Sequence, residues 1–136
     1  MKQSLTILAA AIVMLFAITS CGNKQSEEDK RVEKELREMA KKYNDQAPFM
    51  KDETTRFDSI SILPNRTMQY NLTMIDLLKE ETDIEYFKEQ TLVVAAQAKA
   101  QLPEKAKKDK ITFAYSYNDK DGNFVYEIAI TPDMYQ

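Results

Sequence analysis

The sequence predicts an α+β domain, a four-stranded, mainly antiparallel sheet with two helices on one face, in the order α-β-β-α-β-β. Apolar residues recur at helical spacing over 26–44 and again over 82–102. Elsewhere they alternate with polar residues at period two, in two stretches on either side of Pro64-Asn65 and two on either side of Asp121-Gly122. Each alternating segment has one apolar side to bury, and two helices laid over that side cover all of it.

The elements follow in order. Ser26 with Asp29 three residues on forms a capping-box start, and Glu27, Glu28 and Asp29 suit a helix N-terminus through the macrodipole. Val32, Leu36, Met39, Ala40 and Tyr43 then supply one narrow apolar stripe, closed by Asn44-Asp45 and Pro48. A strand over Thr55 to Leu63 turns at Pro64-Asn65, where Asn tolerates positive φ, into a strand presenting Met68, Tyr70, Leu72 and Met74. Thr82 with Glu85 is a second capping-box candidate, opening a helix through Ile84, Phe87, Thr91, Ala95, Ala98 and Leu102 to Pro103. Lys105, Lys107, Lys108 and Lys110 read as a solvated loop, with an anionic headgroup or phosphate as the alternative ligand. In the last hairpin Ile111, Phe113, Tyr115 and Tyr117 share one side with Phe124, Tyr126, Ile128 and Ile130. The opposite side of the sheet is then short-chained and weakly polar: Thr67, Gln69, Asn71, Thr73, Thr112, Ala114, Ser116, Val125, Glu127 and Ala129.

Composition excludes several chemistries. Histidine is absent, so zinc sites and Ser-His-Asp or Cys-His catalysis cannot be built, and the chain lacks the commonest general base. Two glycines are too few for a glycine-rich phosphate loop. Aligning Gly122 with the glycine of an EF-hand loop puts Tyr117 and Ile128 where acidic ligands are required, so the Asp119 to Asn123 segment reads as a turn and no metal or cofactor is expected.

The N-terminus carries the most specific pattern in the chain. Lys2 precedes an uncharged apolar run from Leu5 to Ile18, and Ile18-Thr19-Ser20 places small residues before Cys21, the single cysteine. This arrangement resembles the lipobox signal peptide of bacterial lipoproteins. The resemblance implies removal of residues 1–20, acylation of Cys21, a membrane partner reached through its acyl chains, and a cell-envelope location, with the outer membrane expected. Residues 21–25 would be a short lipid-anchored tether and 26–136 a single domain. That mature part has 18 basic against 22 acidic residues, which argues against nucleic acid as a partner. The Glu27-Glu28-Asp29 run is similar to surface-export signals of Bacteroidetes-like lipoproteins, which leaves both the periplasmic and the surface-exposed reading open.

The segment Pro48 to Ser59 reads P-x-x-x-D-x-x-T-R-x-D-S. With the Tyr70 strand and Tyr115-x-Tyr117 it resembles small exported bacterial proteins over roughly residues 45–132, and that resemblance brings no activity with it. Asp52, Glu53, Arg56 and Asp58 gather three carboxylates around one guanidinium at the start of a strand. A bidentate Arg-carboxylate pair there would hold helix against sheet. Alternatively Arg56 and Asp58 form a ligand site, joined by Asp52 and by Gln69, Asn71 and Thr73 of the polar sheet side. Asp58-Ser59-Ile60 also matches a short bacterial O-glycosylation pattern.

The expectation is a non-enzymatic binding module for an envelope protein, peptide or glycan. An inhibitor or immunity protein against an envelope-targeting hydrolase is the alternative. A metal-independent enzyme built on Arg56, Asp58 and a Tyr or Ser-Lys pair is a third reading, for which no pair has a diagnostic catalytic spacing.

Overall fold

A computed structural model describes residues 25–136. The expected signal peptide and the expected acylation site Cys21 lie outside the described residues. Helix α1 (Glu27–Asn44) is followed by strands β1 (Phe49–Met50), β2 (Thr55–Leu63) and β3 (Thr67–Met74), a 3-10 turn (Lys79–Glu81) and helix α2 (Ile84–Gln101). Short helix α3 (Glu104–Lys108), strands β4 (Thr112–Asn118) and β5 (Phe124–Ile130) and a terminal turn α4 (Pro132–Tyr135) complete the chain.

The sheet has five strands in the order β1-β2-β3-β4-β5, which corrects the expected four. The extra strand is two residues long, too short to show a period, and it pairs Phe49 with Phe57 at the sheet edge. Both expected hairpins form. They join through β3 and β4, which run parallel because α2 carries the chain back across the sheet before β4 begins. The other neighbouring pairs are antiparallel.

Register decides which side chains share a face. Three rows run across four strands: Phe57, Leu72, Tyr117 and Tyr126; Ile60, Tyr70, Tyr115 and Ile128; Ile62, Met68, Phe113 and Ile130. This is the inner face, and both helices lie on it. Val32, Leu36 and Ala40 of α1 pack with Phe57, Ile60, Met68 and Leu72. Phe87 and Ala95 of α2 pack with Met74, Ile128, Ile130 and Tyr135. Phe113, Tyr115 and Tyr117 border both clusters and join them into one core.

Local departures have identifiable causes. A bulge between Tyr117 and Asn118 turns Val125 into the second cluster and leaves Phe124 53% exposed, so both differ from their expected sides. Helix α2 is capped by Asp83, whose carboxylate accepts the Glu85 and Tyr86 N–H groups, while the Thr82 hydroxyl donates to the Leu78 carbonyl instead. Ser26 caps α1 as expected, accepting the Asp29 N–H at 3.0 Å. Asn65 adopts φ 62° as its turn requires, and Arg66 follows it at φ 54°.

The lysine-rich loop is the α3 turn, and its charges are partly spent inside the protein. Asp109, with a side chain only 4% exposed, receives Arg31 of α1 at 2.8 Å and Lys105 at 2.8 Å. Arg66 donates to Asp29 at 2.7 Å and to the Asp109 carbonyl at 2.8 Å. This network ties the start of α1 to the β2–β3 turn and to the end of α3.

Candidate functional site

The six residues expected to form a binding surface separate in space. Arg56, Asp58, Gln69, Asn71 and Thr73 belong to the outer face, opposite the one on which α1 and α2 lie. The register aligns Arg56 with Thr73, Ser59 with Asn71 and Ser116, and Ser61 with Gln69 and Ala114. Asp52 lies in the β1–β2 loop, where its carboxylate accepts the N–H groups of Thr54 (2.9 Å) and Thr55 (2.8 Å). Those bonds hold its carboxyl below the ordinary aspartate value.

On the outer face the polar side chains bind one another. Arg56 Nε donates to Asp58 Oδ1 at 2.5 Å and its Nη2 reaches the Thr73 hydroxyl at 3.4 Å, while that hydroxyl donates to Asp58 Oδ2 at 2.5 Å. The expected gathering of several carboxylates on Arg56 reduces to this one exposed pair, with Asp52 committed to its own turn. Asn71 Nδ2 donates to the hydroxyls of Ser59 (3.0 Å) and Ser61 (2.9 Å), and Gln69 donates to Asn71 Oδ1 at 2.8 Å. The result is an internally satisfied ladder of side-chain hydrogen bonds. Ser59, the residue of the glycosylation pattern, is half-buried within it.

The inner face holds the concave site. Its volume is about 680 Å³, within the range of ordinary ligand clefts, and it opens where the C-terminal ends of β3 and β4 meet the first turns of α2. The floor and back wall are apolar, from Met74, Phe87, Val94, Tyr117 and Ile128. Asp52, Asp76, Glu81, Asp83 and Gln90 stand around the mouth. Sequence reasoning found only Asp52 of this set. Its walls come from five separated segments, and no spacing along the chain announces that they converge. A hollow along the polar side of α1 is lined largely by charged residues, Glu33 and Arg37 paired among them. A second, of about 640 Å³, lies between α1 and the β2–β3 turn, where Leu36, Ile62, Leu63 and Pro64 stand beside Asp29, Glu33, Arg37 and Arg66, and those charges are already paired as Arg37 with Glu33 and Arg66 with Asp29.

Three tyrosines of the inner face, of which Tyr117 lines the cleft, are held neutral. Burial raises the pKa of Tyr70 to about 12, and burial also raises those of Tyr115 and Tyr117. Tyr70 and Tyr115 stack at 5.0 Å, which stiffens the middle of the sheet. Near neutral pH these phenols offer hydrogen bonds and apolar area rather than a base or a nucleophile. Among the described residues, no three His, Cys, Asp or Glu side chains are grouped so as to hold a metal ion.

No protein-family model matches the chain, and no curated protein matches it closely enough to count as a relative. Solved structures share its fold. A candidate secreted protein from Pseudomonas aeruginosa aligns with a TM-score of 0.67 at 12% identity, covering 82% of this chain and 98% of its own. EpsS, a pilotin of the type II secretion system of Vibrio vulnificus, aligns with a TM-score of 0.59 at 11% identity, covering 81% of this chain and 96% of its own. The type II secretion system pilotin AspS from Vibrio cholerae aligns with a TM-score of 0.57 at 9% identity, covering 79% and 95%. At these identities the likeness is one of fold: the chain shares the whole α+β architecture of a small secreted protein and of two secretion pilotins.

Proposed function

We propose that this chain is a lipid-anchored lipoprotein of the cell envelope whose domain is a non-catalytic binding module for a protein or peptide partner, seated in the inner-face cleft. The observation that carries the reading is the cleft itself, an apolar hollow of about 680 Å³ left open at one end of a core that is otherwise closed by two helices. Two lines support it. The lipobox at Cys21 supplies an anchor, and the fold is one that pilotins of a secretion apparatus also adopt. The neutral tyrosines and the absence of histidine leave the cleft suited to holding a ligand rather than transforming it.

The test places a photo-crosslinking amino acid at Gln90, on the cleft wall, or at Gln69, on the outer face, in the full chain in intact cells. Adducts to one envelope protein from position 90, and none from position 69, are expected. Adducts from position 69 alone would move the site to the polar ladder and overturn the cleft reading.

A further inference from the structure

The cleft mouth carries more negative charge than the fold uses in ion pairs. Asp52, Asp76, Glu81 and Asp83 line it, and Lys51 is the one cationic lining residue. Among the described residues, ion pairs engage Glu27, Asp29, Glu33, Glu35, Asp45, Asp58, Glu85, Glu104 and Asp109, but none of these four carboxylates. Asp52 and Asp83 serve backbone N–H groups of a turn and a helix start, and Glu81 accepts the Leu78 N–H at 2.9 Å. Among the described residues, none donates a hydrogen bond to Asp76. The N-terminus of α2 offsets roughly half a charge. A clear negative excess remains at the lip of an apolar hollow.

We infer that the cleft takes a cationic amphipathic peptide segment, one that presents Lys or Arg beside aliphatic or aromatic side chains. Apolar side chains would cover Met74, Phe87 and Ile128, and the cations would sit at the mouth against Asp76 and Glu81. Charge complementarity of this kind speeds encounter and rejects acidic competitors more than it adds affinity. The inference rests on the cleft being the partner site and deepens that reading by naming the partner's chemistry.

The probes are short synthetic peptides with one shared pattern of Leu and Phe and with Lys, Gln or Glu at the remaining positions. Binding is measured by fluorescence anisotropy to the acylated full chain in neutral phosphatidylcholine nanodiscs, with empty discs subtracted. The Lys peptide is expected to bind roughly tenfold tighter than the Gln peptide at low salt, with the Glu peptide weakest. Added salt should shrink that gap. Asp76→Asn with Glu81→Gln should remove most of it while leaving the unfolding midpoint in place. Equal binding of the Lys and Gln peptides, both lost on Gln90→Trp, overturns the cationic class and leaves the cleft standing as a site. Binding absent throughout, or unaffected by Gln90→Trp, overturns the cleft as well.

Discussion

Asn44 holds both backbone groups of Ile60. The Ile60 N–H donates to Asn44 Oδ1 at 2.7 Å, and Asn44 Nδ2 donates to the Ile60 carbonyl at 2.9 Å. The last residue of α1 thereby acts as a one-residue strand. It occupies the edge of β2 beyond the point where two-residue β1 stops pairing. An unpaired β2 edge is an invitation to intermolecular pairing, and this amide blunts it. Asn44→Ala is expected to lower stability by about 1–3 kcal/mol in denaturant unfolding, the cost of leaving such groups without their partner. An unchanged midpoint would show that water replaces the amide at no cost.

The C-terminal turn is tied in by the Tyr135 hydroxyl and, at the surface, by Gln136 Nε2, which donates to the Lys107 carbonyl at 3.2 Å. Tyr135 is 1% exposed, and its hydroxyl donates to the Ile111 carbonyl at 2.6 Å. Tyr135→Phe keeps the ring and loses the donor, so a destabilisation of about 1–3 kcal/mol is expected. Tyr135→Ala also opens a cavity and should cost about 3–5 kcal/mol. Equal losses for the two variants would assign the whole effect to the hydroxyl.

Acid should loosen the junction of α1 and α3. The hydrogen bond from Arg31 and then that from Lys105 hold the Asp109 carboxyl below its ordinary value of 3.8, against the opposing effect of burial. Its folded pKa lies below its unfolded one. The stability it contributes is therefore complete above about pH 4 and is lost as pH falls through the depressed value. Asp109→Asn should be less stable than the parent at neutral pH, and the difference should narrow below pH 4. Parallel stability curves for the two proteins through that window would remove Asp109 from the account.

Arg56 should matter little to folding. Its guanidinium is 44% exposed and pairs with Asp58 through Nε alone, instead of forming a two-pronged clamp. Arg56→Lys and Arg56→Ala are each expected to shift stability by less than about 1 kcal/mol, the range for exposed pairs. A larger loss for both, measured by thermal unfolding, would show that the outer-face ladder supports the sheet.

Processing is tested at Cys21. Cys21→Ala should abolish metabolic acyl labelling and accumulate the precursor, and equal labelling of the two proteins would exclude the lipoprotein reading.

The sequence by itself determined what is local. Period-two alternation set the inner and outer sides of β3 and β4, the Val32, Leu36 and Ala40 stripe set the buried face of α1, and Asn65 and Gly122 marked the two hairpin turns, whereas in β2 a bulge between Phe57 and Ser59 breaks the alternation. Such features depend on a few neighbouring residues, whose sterics and apolar spacing act before any distant contact forms. Only the tertiary structure decided the partners of β1 and the parallel joining of β3 to β4. It also gave Arg56 to Asp58 rather than Asp52, and Ile60 to Asn44. The cleft is the fullest case, since Asp52, Met74, Phe87 and Tyr117 become neighbours only after α2 has crossed the sheet. Which strand meets which, and what a crossover leaves open beneath it, follow from burying two apolar helix stripes on one shared face. That is a property of the whole packed chain and has no signature in any single stretch of it.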